Sequence, residues 1–249
     1  MTATDVLPVL ASPVIGSFLG VVVARMDVPS SIVVGRSCCT SCGTKLGALD
    51  LVPVLSWAVS RGRCRHCNAG VSVFYPAIEI GALILALWAA TLISGPALWA
   101  SCLLGWILLV LACIDGTRLI LPDFLTLPLV LLGLGASFLF WREDFSAAAI
   151  GAVAGYGAIR LLGWGYQQIK AREGIGLGDA KLLAAGGAWV TWVGLPSVVL
   201  IASFLALFMI AFKSLRTRAL SPTEPVPFGT FLCMGIWLTW LYGPVAFWF

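Results

Sequence analysis

Long apolar runs, each closed by a short polar or charged stretch, divide the chain into eight segments at about 6–25, 75–94, 97–114, 122–141, 146–166, 179–193, 195–213 and 228–248. A helix needs roughly 20 apolar residues to cross a bilayer core, and most of these runs approach that length. They are continuous rather than alternating, so they predict helices and not the ten-residue dyads of a membrane barrel. One polar stretch is long, residues 26–74. It is too short to bury a core of its own and needs a staple. There is no internal repeat and no low-complexity tract.

Composition agrees with that pattern. The chain of 249 residues is 60% hydrophobic and 10% charged, where soluble domains carry about 25% charged residues. The expected fold is an all-α polytopic membrane protein of about eight transmembrane helices, with a small cytoplasmic loop between helices 1 and 2. It divides into a first transmembrane helix (1–25), a loop (26–74) and a membrane domain (75–249). No basic residue precedes the first segment and Arg25 follows it. A cleaved signal carries its charge in front, so the first helix is expected to be retained.

Net charge is only +4, and its placement matters more than its size. The odd-numbered connections hold thirteen of the fifteen Lys and Arg, among them Arg36, Arg118, Arg172 and Arg218, while Arg142 lies in an even connection and Arg160 within the fifth segment. Basic residues favour the cytoplasmic side, which predicts cytoplasmic odd connections and outward-facing termini. The charges border lipid and form no continuous basic face, so the partner implied is a bilayer and not nucleic acid.

The loop contains Cys39-x-x-Cys42 and Cys64-x-x-Cys67. Two such pairs suit tetrahedral zinc held by four thiolates. Gly43 permits a tight turn, and Arg63 and Arg65 soften the negative charge. A register starting at Cys38 fits a knuckle less well. Two disulfides or a redox dithiol would use the same residues, but a cytoplasmic loop is reducing. Four sulfur ligands close the metal sphere, so the expected role is structural. His66, the single histidine, is expected at the surface.

One histidine also leaves the membrane part without Ser-His-Asp or Cys-His chemistry. The acid–base candidates are Asp115, Asp123, Asp179, Glu79 and Lys181. Charge at membrane depth marks function by default. Asp115 ends an apolar helix, where the helix dipole disfavours an anion, although Arg118 could neutralise it. Asp179 closes Gly176-Leu177-Gly178-Asp179 at the start of another helix. Glycines there admit close approach of a second backbone, so Gly176 and Gly178 are candidate contacts for an extended substrate. The orientation argument puts both aspartates on the same membrane face. Two carboxylates brought together can share one proton, which is the machinery of an aspartyl protease. Asp123 after Pro122 is expected to cap its own helix, and Glu79 to be a buried structural partner, with Arg160 a candidate for its other half. A thiol oxidoreductase would use the cysteine pairs but leave Asp179 without a role. A transporter would show repeated halves, which this chain lacks.

GSFLG, RSCCTSC, DLVPVLSW, RGRCRHC, YPAIE, IDGTRLILPDFLTLP and GIGLGDAKLLAAGGAW together resemble the type IV prepilin peptidases, or prepilin leader peptidase/N-methyltransferases, which are G-x-G-D membrane aspartyl proteases. The resemblance spans nearly the whole chain. It implies that Asp115 and Asp179 are catalytic, with Asp123 in the motif but outside the pair. It implies cleavage of a basic leader from prepilins or pseudopilins at the cytoplasmic face of the bacterial inner membrane, in type IV pilus or type II secretion systems. It further implies N-methylation of the new terminus with S-adenosylmethionine, a peptidase without that second activity being the alternative. The family usually has Asn where Gly20 stands and often Pro where Thr40 stands.

Overall fold

The structure is a computed structural model that describes residues 3–26, 37–140, 144–170, 176–217 and 226–245. Its helices are α1 (Ala3–Arg25), α2 (Leu55–Val59), α3 (Phe74–Leu92), α4 (Pro96–Arg118), α5 (Asp123–Phe140), α6 (Phe145–Lys170), α7 (Leu177–Thr217) and α8 (Phe228–Tyr242), with one 3-10 turn at Ala48–Leu51. No strand occurs among the described residues, only two isolated bridges, Cys38 with Lys45 and Arg63 with Gly70. Arg36, Arg142, Arg172 and Arg218, which entered the orientation argument, lie outside the described residues. So do residues 27–36 of the loop and the end of the last expected helix beyond Val245.

Among the described residues, six helices are long and apolar enough to cross a membrane: α1, α3, α4, α5, α6 and α7. The expected count of eight is not recovered, for two reasons. α8 has only 15 residues. The sixth and seventh expected segments form one helical run, α7, broken where Thr191 adopts φ 60 and ψ 177. That break reverses the chain. A Cβ on Gly186 would lie 2.9 Å from Ile236, and one on Gly235 would lie 2.6 Å from the Val198 carbonyl. A straight helix would separate residues 186 and 198 by about 18 Å, too far for both to touch adjacent residues of α8. The segment boundary expected at 194 therefore sits near Thr191, as a hairpin without a loop.

The chain forms two compact units, Met1–Val110 and Leu111–Phe249, with the boundary inside α4. In the first, α1 meets α3 through small residues. A Cβ on Gly16 would lie 2.7 Å from the Glu79 Cα, and one on Gly20 would lie 3.2–3.3 Å from Ile78 and Tyr75. Small residues four apart let helix backbones approach closely in lipid, where dispersion rather than hydrophobicity holds helices together. Gly20 is thus a packing residue here, and an Asn in its place must displace the Tyr75 ring. Ala82, Ala86 and Ala89 line the buried stripe of α3, and the Trp106 indole donates to the Ala82 carbonyl at 3.3 Å.

In the second unit α7 is the central element. Gly151 of α6 and Gly187 of α7 face each other so closely that a Cβ on either would collide with the other's backbone. On another side, the Trp189 indole donates to the Leu129 carbonyl of α5 at 2.9 Å and fills the space left by Gly133. α8 covers α7 with Ile236 and Trp240, the latter edge-on to Trp189 at 5.3 Å between ring centres. This packing brings one end of α4 and the starts of α5, α7 and α8 around a common space.

Candidate active site and metal centre

That space is a cavity of about 750 Å³ within the second unit. Asp115, Asp123, Asp179 and Lys181 line it, with Gly176, Gly178 and apolar residues including Leu121 and Phe228. The sequence pattern had singled out Asp115 and Asp179, and they lie on the same cavity. Asp115 stands in the last turn of α4 and is 5% exposed. Asp179 stands in the first turn of α7 and is half-buried.

Local backbone explains how α4 and α5 meet here. The Leu119 amide donates to the Asp115 carbonyl at 2.9 Å, and Leu119 takes φ 57, which turns the chain out of α4. Four residues on, α5 begins. Leu121, inside this connection, wedges between two glycines. An added Cβ would lie 2.9 Å from Leu121 Cβ at Gly178 and 2.9 Å from Leu121 Cδ1 at Gly229. Gly178 is therefore needed for packing against Leu121, whatever it offers a substrate. Gly176 is exposed on the cavity, 3.5 Å from Asp179 Oδ2 by the same construction.

Asp123 differs from expectation. It is the first residue of α5, but its Oδ1 accepts from Lys181 Nζ at 2.6 Å instead of capping its own helix. The Pro122 carbonyl takes the amides of Leu125 and Thr126, each at 3.1 Å. Glu79 also has a partner other than Arg160. Its Oε2 accepts the Val54 amide at 2.7 Å, tying the polar loop to the second turn of α3 while its side chain is buried. Arg160 is exposed on α6.

Sequence reasoning missed one close neighbour of Asp115. Asp115 Oδ2 accepts the Thr230 amide at 2.7 Å and lies 3.1 Å from the Thr230 hydroxyl. Gly229 has no room for a Cβ, which would stand 3.0 Å from the Asp115 carboxyl. The signal was the Pro227-Phe228-Gly229-Thr230 opening of the last apolar run, where a helix start presents free amides beside a glycine.

The polar loop holds the other cluster. The ligand atoms of Cys39, Cys42, Cys64 and Cys67 all lie within 4.8 Å of one another. Cys39 Sγ and Cys67 Sγ are 3.8 Å apart. Zinc–sulfur bonds of about 2.3 Å in a tetrahedron set neighbouring sulfurs about 3.8 Å apart, so the four residues fit the metal the spacing implied. Each pair sits on an equivalent turn. Gly43 donates to the Cys39 carbonyl at 3.0 Å with φ +69, and Asn68 donates to the Cys64 carbonyl at 2.9 Å with φ 58. Cys38 and His66 stand outside the cluster. The Thr44 hydroxyl, 3.2 Å from Cys42 Sγ, and the Thr44 amide pull the Cys42 thiol down to about 6. At Cys67 the Ala69 amide also pulls down, but desolvation and the neighbouring sulfurs prevail and raise the thiol to about 12. Four sulfurs this close do not all ionise unless a cation joins them.

The fold and this site define a class, the integral membrane proteins with two carboxylates from different helices on one cavity and a tetracysteine loop. Residues 10–93 match the Bacterial Peptidase A24 N-terminal domain and residues 102–211 match the Type IV leader peptidase family. A prepilin leader peptidase/N-methyltransferase of Aeromonas hydrophila is 39% identical over 94% of this chain and 89% of its own length. Proteins of the same description from Burkholderia pseudomallei strain 1026b (39%, 92% and 82%) and Pseudomonas aeruginosa (31%, 94% and 89%) are similar throughout. No solved structure matches the chain. The chain belongs to the type IV leader peptidase family.

Proposed function

We propose that the chain is a membrane aspartyl endopeptidase that removes the basic leader of type IV prepilin-like proteins and then methylates the new N-terminus with S-adenosylmethionine. The observation that carries the peptidase reading is the convergence of Asp115 and Asp179, from two different helices, on one cavity. The names of the relatives carry the methylation.

One aspartate, ionised, takes a proton from a water. The other, protonated, donates to the carbonyl of the bond to be cut. Attack gives a tetrahedral diol, and the roles reverse as the amine leaves. The dyad titrates as a unit, so the starting proton belongs to the pair. The substrate's apolar segment lies in the bilayer against these helices, and its basic leader stays at the surface that basic connections mark as cytoplasmic. The exposed backbone at Gly176 gives the substrate a place to extend. Cys39, Cys42, Cys64 and Cys67 would hold a zinc ion whose contribution is structural, closing the loop that Glu79 anchors. Convergence of four sulfurs on one centre supports this over a dithiol oxidoreductase, which also gives the aspartate cavity no role.

Incubation of the purified protein with a prepilin and S-adenosylmethionine, followed by mass measurement, reads leader loss and methyl gain together. Each acid–base role is worth about 10²–10⁴ in rate, so Asp115→Ala and Asp179→Ala should nearly abolish cleavage in protein that still inserts. Asp123→Ala should keep clear activity. Near-normal cleavage by either dyad variant would reject the assignment.

A further inference from the structure

α8 opens at Phe228 behind Pro227, which supplies no side-chain cap. The first amides of a helix have no partner within it. Asp115 reaches across from α4 to serve one of them, with Oδ2 2.7 Å from Thr230 N. The Thr230 hydroxyl stands 3.1 Å from that same oxygen and 3.1 Å from the Ala112 carbonyl. Shape reinforces the hydrogen bonds. Gly229 presses on the Asp115 carboxyl where a Cβ would stand 3.0 Å away, and Gly116 of α4 faces the Thr230 hydroxyl at 3.5 Å by the same construction.

We propose that Thr230 is a positioning residue of the dyad: its amide and hydroxyl hold Asp115 by Oδ2, leaving Oδ1 as the oxygen that exchanges a proton with water. This rests on the two-aspartate reading above. An unanchored carboxylate rotates and presents either oxygen, whereas one anchored through Oδ2 presents the other. The amide donates throughout. The hydroxyl has one proton and two acceptors, the Ala112 carbonyl and Asp115. It turns toward Asp115 when that carboxylate is the charged member of the dyad, and the amide keeps the carboxyl in register in either state. Orientation of a reacting group acts on the chemical step, so its loss falls on kcat and leaves KM alone. Among the described residues, the titratable or charged groups around Asp115 include Asp179 and Lys181 of α7 and Asp123 of α5 on the same cavity, Cys233 of α8, and Cys113 and Arg118 on its own helix. Thr230 bonds it directly.

The test compares full-length Thr230→Val, Thr230→Ser and Asp115→Asn with wild type, using detergent-solubilised protein and a prepilin substrate. Thr230→Val should lower kcat roughly 10- to 100-fold, the size of a lost hydrogen bond to a charged group, with KM within about two-fold. Thr230→Ser keeps the hydroxyl and should restore most of kcat. Should Thr230→Val fail to purify as a monodisperse protein, Thr230→Ala takes its place with the same expectation. Wild-type kcat in Thr230→Val, an equal loss in Thr230→Ser, or a loss confined to KM would overturn the proposal. Asp115→Asn separates the two readings. If it is inactive while Thr230→Val is normal, the positioning claim alone fails; if it cuts normally, the dyad itself fails.

Discussion

Replacing Gly178 with alanine asks whether this glycine exists for packing or for substrate. The added Cβ would lie 2.9 Å from Leu121 Cβ and 3.3 Å from Leu121 Cδ1. Non-bonded carbons rest about 3.5–4.0 Å apart, so the first turn of α7 or the α4–α5 connection must move by roughly 0.6–1 Å. Asp179 is the next residue, so it moves too. A misplacement of about 1 Å costs on the order of 10²-fold in rate, or about 2.7 kcal/mol, on top of an overpacking penalty of about 1–3 kcal/mol in stability. Leu121→Gly removes every atom in that clash. Leu121 also wedges against Gly229, so its loss has a cost of its own, which a double-mutant cycle subtracts. Initial rates of leader removal by wild type, Gly178→Ala, Leu121→Gly and the double variant should show a favourable coupling of about 0.5–3 kcal/mol. Additive losses would refute the packing argument and return Gly178 to the role first read for it, a gap for substrate backbone.

The tetracysteine loop should carry about one zinc per chain, measured by elemental analysis under reducing conditions. Cys39→Ser or Cys64→Ser should lose the metal, and a metal-free but fully active preparation would count against the site. Glu79→Ala leaves the Val54 amide without its acceptor and should cost roughly 1–3 kcal/mol, read as faster proteolysis within the loop. Glu79→Gln keeps a carbonyl acceptor and should recover most of it. Asp123 is exposed and Lys181 half-exposed in their ion pair, so Asp123→Ala should change the melting temperature little, by the equivalent of about 0.2–1 kcal/mol.

Sequence alone disclosed what depends on local pattern. Apolar runs located the helices because bilayer thickness fixes their length. Cys-x-x-Cys spacing located the cluster because tetrahedral geometry fixes the turn, and Gly43 and Asn68 supply the positive φ that each turn needs. Asp115 and Asp179 stood out because unneutralised acids are rare beside apolar helices. What stayed hidden depends on which elements meet. The pattern placed a segment boundary at Gly194, but it did not show that the break is a sharp reversal at Thr191 with no connecting loop. Asp123 at a helix start looked like a cap, and only the approach of α7 supplies Lys181 as the stronger partner. Gly20 looked like a departure from a motif, and its packing on Tyr75 emerges only once α1 lies against α3. Thr230 lies far along the chain from Asp115, and no spacing rule joins them.

The placement of the two carboxylates follows a common rule that the chain order conceals. Asp115 ends α4, where the partial negative charge of the helix opposes a carboxylate. Asp179 begins α7, where the partial positive charge favours one. Read along the chain, the two environments look opposed. In the fold, α8 brings its own start to Asp115 and presents the Thr230 amide, so each carboxylate meets the positive end of a helix, one its own and the other borrowed. This also accounts for the residues that open those two helices. Gly178 before Asp179, and Pro227 and Gly229 before Thr230, are residues that either lack a Cβ or begin a helix without needing an amide partner. They let two helix starts crowd the end of a third around a single cavity. Anions at the edge of a bilayer are costly unless donors surround them. Orphan amides at helix starts are donors the backbone already provides, without adding a charge that would hold either carboxylate permanently ion-paired.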